Sequence, residues 1–269
     1  MPELPEVETI KKYLDKTVSG KKIIGIKILS KKQFAGQSKK VIGKKILSVE
    51  RRAKNLIFKL SNGQALLVHL KMSGQLLWQP GILKTPTKST RVIISFVKNQ
   101  LFFNDMRKFG WIKVLNKDQL DLALARFGPE PLTKNFSDNY LGKTLKQTRR
   151  AIKIILLDQT KIAGIGNIYA NEILAKAQIN PQKPANQLKT QEIKKLREAI
   201  QLVLKEGIKY NGSSAADQLY LRPDSSSGSY QQYFRVYQKD GQKCQKCKTV
   251  IKRINLSGRG TFFCPKCQK

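Results

Sequence analysis

Four cysteines close the chain as Cys244-x2-Cys247 and Cys264-x2-Cys267, with sixteen residues between the pairs. Two short thiolate pairs at this separation can converge on one tetrahedral zinc. Protein fills all four positions, so no ligand position is open and the zinc is structural. These are the chain's only cysteines, and thiols reserved for metal fit a reducing, cytoplasmic interior. A second chemical candidate lies at the opposite end. The chain opens Met-Pro-Glu-Leu-Pro-Glu-Val-Glu, and three of its 18 acids, Glu3, Glu6 and Glu8, fall within those eight positions. If Met1 is removed, Pro2 presents a secondary amine, and a nearby helix N-terminus keeps part of it unprotonated at neutral pH. Such an amine can attack an electrophilic carbon and form an iminium. A carboxyl beside it, Glu3, can deliver or remove protons. The residue types permit this chemistry without requiring it, since Glu6 and Glu8 equally suit the positive end of a helix dipole.

Charge indicates the partner. Lys plus Arg number 52 against 18 Asp plus Glu, a formal net charge of +34 with a pI near 10.2. That excess implies a polyanion, and with a zinc hairpin present nucleic acid leads. A lysine-biased composition with a solvated surface accounts for part of it. Neither a long apolar run nor a basic amphipathic anchor points to a membrane, and the opening lacks the basic start and apolar stretch of a secretory signal.

The elements that must position these groups change character midway. Pro5 and the following acids start a helix on which Val7, Ile10 and Leu14 share a face. Strand-like runs follow at 23–29, 46–51, 56–60, 65–69, 92–97, 100–103 and 110–115, separated by turns such as Ser61-Asn62-Gly63, a pattern of sandwich or barrel. After Gly128-Pro129-Glu130-Pro131 the periodicity is helical, clearest at 152–158, 168–177 and 191–207. Between the cysteine pairs, runs at 249–256 and 261–263 flank Ser257-Gly258-Arg259-Gly260, which predicts a hairpin with Arg259 at its tip. Metal binding contributes about 10–16 kcal/mol, enough to fold an element too small to own a core. Ala163-Gly164-Ile165-Gly166-Asn167 opens a helix and is either a phosphate cradle with Asn167 donating or a plain tight turn. It fails as a dinucleotide fingerprint because no strand precedes it and Tyr169 replaces the third glycine. Gly142-Lys143-Thr144 fails as a P-loop because Ser137 replaces the first glycine.

Together, Pro-Glu-Leu-Pro-Glu-Val-Glu-Thr from Pro2, Arg51-Arg52-Ala53-Lys54, His69-Leu70-Lys71-Met72-Ser73-Gly74, Gly164-Ile165-Gly166-Asn167-Ile168-Tyr169-Ala170 and the four-cysteine end resemble bacterial formamidopyrimidine-DNA glycosylase, in order across the chain. Leu4 resembles this branch rather than endonuclease VIII, whose terminus usually reads Pro-Glu-Gly-Pro. The resemblance implies an α+β fold: an N-terminal β-sandwich with a flanking helix over 1–132, a helix–two-turns–helix domain over 133–238, and a zinc hairpin over 239–269. It implies a monomer that binds double-stranded DNA containing oxidised bases, excises oxidised purines and cleaves the strand by β,δ-elimination. An endonuclease VIII-like preference for pyrimidine lesions, or a zinc-containing DNA-binding protein without chemistry, are the alternatives.

By that resemblance Pro2 attacks C1′, Glu3 is its acid/base partner, and Lys54 contacts phosphate and donates a proton during β-elimination. Arg259 binds phosphate and serves the second elimination. Met72 fills the hole left by the flipped base, while Arg107 and Phe109 fill and wedge the opposite strand. His69 and Asn167 match phosphate contacts, and one of Arg149 and Arg150 meets DNA. The chain departs at Asp105-Met106-Arg107-Lys108-Phe109-Gly110, where the family has Asp-Pro-Arg-Arg-Phe-Gly, so a planar fork is lost at Lys108. Thr87-Lys88-Ser89-Thr90 replaces a histidine-containing stretch, leaving Lys88 as a point charge for phosphate. Over 211–233, where the family closes a loop over the extruded base, the match is confined to Gly212-Ser213-Ser214 and the vicinity of Gly228-Ser229-Tyr230.

Overall fold

The computed structural model describes residues 1–81, 85–214 and 220–269. It divides into two compact units, Met1–Arg126 with Ile208–Gln231, and Phe127–Gly207 with Gln232–Lys269.

The first unit is a β-sandwich with a helix laid on its core. Helix α1 (Leu4–Val18) places Val7, Ile10, Leu14 and Val18 on one fully buried stripe, each contributing about 1.5–3 kcal/mol by leaving water. Pro5 falls one position later than expected, at the second helical residue, because Glu3 is the N-cap. Strands β1 (Gly25–Ile28), β2 (Phe34–Ala35), β3 (Ile46–Arg52), β4 (Asn55–Leu60), β5 (Ala65–His69), β6 (Gly74–Pro80), β7 (Thr90–Ser95), β8 (Asn99–Asp105) and β9 (Trp111–Leu115) form two sheets. One has the order β1-β7-β8-β6 and the other β2-β9-β5-β4-β3. Among the described residues, only β2 and β9 pair in parallel. Val49, Phe58, Leu66, Val68, Leu76, Val92, Leu101 and Phe103 meet the α1 stripe in the shared core. Helix α2 (Lys117–Ala125) covers the other face of the five-stranded sheet, where Leu120 packs on Ile57, Ala65 and Leu67. This explains why β5 reads as a continuous apolar run: both of its faces are buried.

The chain returns to this unit at 208–231. Tyr220 joins the sandwich core, Trp78 donates its backbone N–H to the Pro223 carbonyl (2.8 Å), and Tyr220 Oη donates to the Asn211 carbonyl (3.0 Å).

The second unit contains α3 (Asp138–Lys146), α4 (Ile152–Leu157), α5 (Asn167–Ala177), most of α6 (Thr190–Lys209), and a hairpin of β10 (Lys252–Leu256) with β11 (Arg259–Phe263). The division falls within α6, whose buried face is Ile193, Leu196, Ile200, Val203 and Leu204. The hairpin turn is Ser257-Gly258, both in the left-handed region (φ 50° and 73°), as a two-residue turn between twisted strands requires. Arg259 is therefore not the tip but the first residue of the return strand, paired with Leu256. No helix among the described residues is long and apolar enough to cross a membrane.

Candidate active site and nucleic-acid contacts

In the first unit, the N-terminal residues are held from within their own helix. Pro2 is buried beneath an exposed Met1, and Glu3 is 2% exposed. The Glu3 N–H donates to Glu6 Oε2 (2.8 Å), half of a capping box built from carboxylates. The other oxygen of Glu6 accepts the Ser213 N–H (2.8 Å). Glu6 thus ties the first turn of α1 to the returning 208–231 segment, a role beyond the helix dipole that its position alone suggested. Residues 215–219, within the stretch compared with the family's closing loop, lie outside the described residues.

Helix α1 runs antiparallel to β3: the Val49 N–H donates to Asp15 Oδ1 (2.8 Å) near its C-terminal end, and Arg51 pairs with Glu8 (2.7 Å) near its start. The start of α1 and the β3–β4 turn therefore lie at one end of the sandwich. That turn is Ala53-Lys54, with Ala53 at φ 54° and its carbonyl held by Arg51 Nη1 (3.0 Å). Lys54 is only 7% exposed, unlike the solvated lysine that a basic run suggests. A strained turn carrying a buried lysine is the pattern of a functional site.

The same end carries the loops predicted to enter DNA. Met72 is 38% exposed and Phe109 54% exposed, so neither is a core residue. The Arg107 guanidinium stacks over the Phe109 ring, 5.3 Å from its centroid. Both loops are organised by Asp105, which is fully buried. Its carboxylate accepts Ser73 Oγ–H (2.5 Å) and the Gly110 N–H (2.6 Å), while Ser73 Oγ accepts the Arg107 N–H (3.0 Å). Gly110 is required by close approach, since a Cβ there would lie 2.8 Å from Phe103 Cζ. Lys88 is exposed in the Thr87–Thr90 turn, and the Ser89 carbonyl in that turn accepts the Asp105 N–H (2.8 Å). In the sequence Asp105 stands only as part of a motif, and a lone acid among basic and aromatic residues is its one signal.

His69, half-buried at the end of β5, accepts the Lys71 N–H at Nδ1 (2.9 Å), which leaves the proton on Nε2 as a donor. Burial, then the nearby charges of Lys71, Lys54 and Arg126, depress its pKa from 6.5 to about 3. The ring is neutral at physiological pH and suited to donate to phosphate. Between pH 6.5 and about 3 the unfolded chain binds a proton that the folded chain refuses, so stability falls as pH drops through this window. Replacing His69 with Gln should flatten that part of a pH-dependent chemical-denaturation profile, which loses at most about 1.4 kcal/mol per pH unit per group. An unchanged slope would refute the assignment.

In the second unit, Asn167 is the first residue of α5 and follows a turn stapled by Gln159. The Gln159 side chain accepts the Gly164 N–H (2.9 Å) and donates to the Ile165 carbonyl (2.7 Å). Asn167 Nδ2 donates to the Gly260 carbonyl of the hairpin (3.2 Å). Fully buried Lys153 on α4 reaches the same carbonyl (2.9 Å) and Thr261 Oγ1 (2.8 Å). Asn171 Oδ1 accepts the Phe262 N–H (2.8 Å). The strand bearing exposed Arg259 is thus fixed to α4 and α5 by three side chains, of which Lys153 and Asn171 carried no sequence signal. Glu172, also buried, accepts the N–H groups of Arg235, Val236 and Tyr237 (2.7–3.0 Å). Burial raises its pKa, against the pull of those donors and of Arg235. Arg149 and Arg150 are both exposed; Arg150 lies 3.7 Å from Asp158, and Arg149 has no ion-pair partner among the described residues.

The ligand atoms of Cys244, Cys247, Cys264 and Cys267 lie within 4.8 Å of one another. Tetrahedral Zn–S bonds of about 2.3 Å require sulfur separations of roughly 3.8 Å, and Cys247 Sγ and Cys264 Sγ are already 3.4 Å apart. An all-thiolate set with no fifth donor among the described residues fits one structural zinc.

Three family models match in order. They are the formamidopyrimidine-DNA glycosylase N-terminal domain over residues 1–112, that family's H2TH domain over 127–218, and a zinc finger found in FPG and IleRS over 241–269. The chain is 41% identical to the formamidopyrimidine-DNA glycosylase of Desulfitobacterium hafniense, with all of both chains covered. It is 36% identical to the Lactococcus lactis Fpg, whose complex with Fapy-dG-containing DNA superposes with a TM-score of 0.93 over 99% of this chain and all of the other. A complex of the L. lactis protein with DNA containing an abasic site gives the same TM-score over 99% of each chain. With both units and the zinc hairpin matched over its full length, the chain belongs to the formamidopyrimidine-DNA glycosylase family.

Proposed function

We propose that this protein is a base-excision repair enzyme, a bifunctional glycosylase and abasic-site lyase that removes oxidised purines, formamidopyrimidines and 8-oxoguanine, from double-stranded DNA. The observation that carries the reading is the buried Pro2-Glu3 start of α1 at the same end of the sandwich as the strained turn holding buried Lys54. Related proteins captured on Fapy-dG and abasic-site DNA support the choice of lesion and product.

In this mechanism, removal of Met1 frees the Pro2 nitrogen. It attacks C1′ of the flipped nucleotide, the C1′–base bond breaks, and the base leaves with a proton. The ring opens to an iminium, with Glu3 moving the proton at the sugar oxygen. The iminium acidifies the C2′ proton, so loss of that proton expels the 3′ phosphate, and a second elimination expels the 5′ phosphate. Lys54 and Arg259 supply cations at the two phosphates, joined by neutral His69, Lys88, Asn167 and one of Arg149 and Arg150. Met72 fills the vacated stack, and the Arg107–Phe109 pair wedges the strand opposite. The protein works as a monomer in the cytoplasm, where bacterial DNA is found.

Borohydride reduction during turnover should join the chain covalently to an 8-oxoguanine or formamidopyrimidine duplex. In a competition assay those lesions should be cleaved at least tenfold faster than oxidised pyrimidines. Preferential pyrimidine cleavage would assign the endonuclease VIII-like specificity instead, and no adduct with any lesion would leave a DNA-binding protein without chemistry.

A further inference from the structure

The far end of the sandwich carries a second cationic surface that the proposed chemistry does not use. Helix α1 has fifteen residues, so its C-terminal end lies about 22 Å from Pro2. There the backbone of 21–23 meets that of 43–46: the Ile46 N–H donates to the Lys21 carbonyl (2.9 Å), the Ile23 N–H to Lys44 (2.9 Å) and the Gly43 N–H to Ile23 (2.7 Å). Lys22 and Lys45 face each other as an antiparallel bridge, and the Lys22 stem lies over Gly43. The β4–β5 turn closes the patch, with Asn62 Nδ2 donating to the Lys40 carbonyl (2.9 Å).

Lys21, Lys22, Lys39, Lys40, Lys44 and Lys45 thereby occupy one rim, with Lys22, Lys39, Lys40 and Lys45 exposed. Like charges directly opposite across a strand pair destabilise it, yet no carboxylate among the described residues pairs with any of the six. The acids on adjoining elements are already engaged, Asp15 by Lys11 (3.1 Å) and Glu50 by Lys59 (2.8 Å). With 52 basic against 18 acidic residues most cations of this chain lack a carboxylate; what sets this rim apart is that six lysines from two short segments, 21–22 and 39–45, are brought together there by the Lys22–Lys45 bridge.

We infer that this rim binds the phosphodiester backbone of a second DNA segment, distinct from the one held at the Pro2 end. A single duplex gripped beside Lys54 would have to turn sharply to reach the opposite end of the same sandwich, and DNA resists bending over about 150 base pairs. A separate segment needs no bend. Phosphate contacts of this kind carry no sequence information. They would let the protein engage undamaged DNA while a lesion is held, and so pass between segments. The inference rests on the proposed iminium chemistry for its cleanest test.

The protein is first trapped with borohydride on a short lesion duplex, which fills the Pro2 end, and then titrated with a labelled undamaged duplex at increasing salt. The trapped complex should bind the second duplex, with log affinity falling against log salt at about 0.9 per phosphate neutralised. Lys22→Gln/Lys45→Gln should weaken this binding at least tenfold at low salt and lower the slope by one to two. Excision from the short duplex should be unchanged. Removing the same charge at exposed Lys12 and Lys27 controls for net charge and should have less than a twofold effect. If trapping fails, which counts against the iminium reading, a saturating unlabelled lesion duplex fills the Pro2 end for the same titration, so the second-segment inference is tested either way. A trapped complex that ignores the second duplex, a double variant equal to its control, or preference for phosphatidylglycerol vesicles over DNA would each overturn the inference.

Discussion

An N-terminal extension that keeps Pro2 in peptide linkage should eliminate the borohydride adduct and lower excision by on the order of 10³-fold or more, the range expected when a covalent route is lost. A peptide nitrogen gives its lone pair to the carbonyl and is not nucleophilic. Pro2→Gly should lower trapping at least a hundredfold, because glycine frees the backbone that the ring holds in place ahead of α1. Neither change touches the core beneath, since Leu4, Val7 and Ile10 supply the burial at this end of the helix, so the melting temperature should hold. Full-rate excision by the extended chain would remove Pro2 from the chemistry. Loss of trapping together with the fold would instead make the N-terminus a structural element.

The second large effect concerns zinc. Cys247→Ser, or chelation of the native protein, should release the metal, unfold the hairpin and weaken binding to lesion DNA by about 10²-fold. The apolar cluster there is small: Val236, Ile251 and Phe262 packed with Cys244 and Cys264. It cannot hold two five-residue strands without a metal whose binding contributes roughly 10–16 kcal/mol. Losing the hairpin displaces Arg259 and removes the Gly260 carbonyl that Asn167 and Lys153 share, so two groups proposed to meet phosphate move together. Zinc content, affinity and far-ultraviolet circular dichroism measured on one sample check this. Affinity that survives complete removal of zinc would show that the hairpin is not part of the DNA grip.

Much of the architecture was legible because periodicity and punctuation agreed. The α1 stripe, the central strands and α4–α6 appear close to where apolar spacing placed them. Strand β6 escaped because Gln75 and Gln79 interrupt its alternation and Gly74 and Pro80 bracket it. Proline is tolerated there because β6 is the edge of its sheet. Helices α2 and α3 escaped because each is only nine residues long. Their start signals were nonetheless present: Asn116 caps Gln119 in a reciprocal box, and Ser137 caps Tyr140 (3.2 Å).

By itself the sequence determined the zinc ligands, the nucleic-acid partner and, through its ordered motifs, the family. Each of these depends on residue type and spacing along the chain, which a linear reading preserves. Tertiary structure decided which of those residues are held ready. It buried Lys54 on a strained turn, gave Asp105 command of two loops, and joined Glu6 to Ser213. Burial and partnership depend on elements far apart in the chain coming together, and Glu6 and Ser213, separated by 207 positions, carry no mark of each other until it folds.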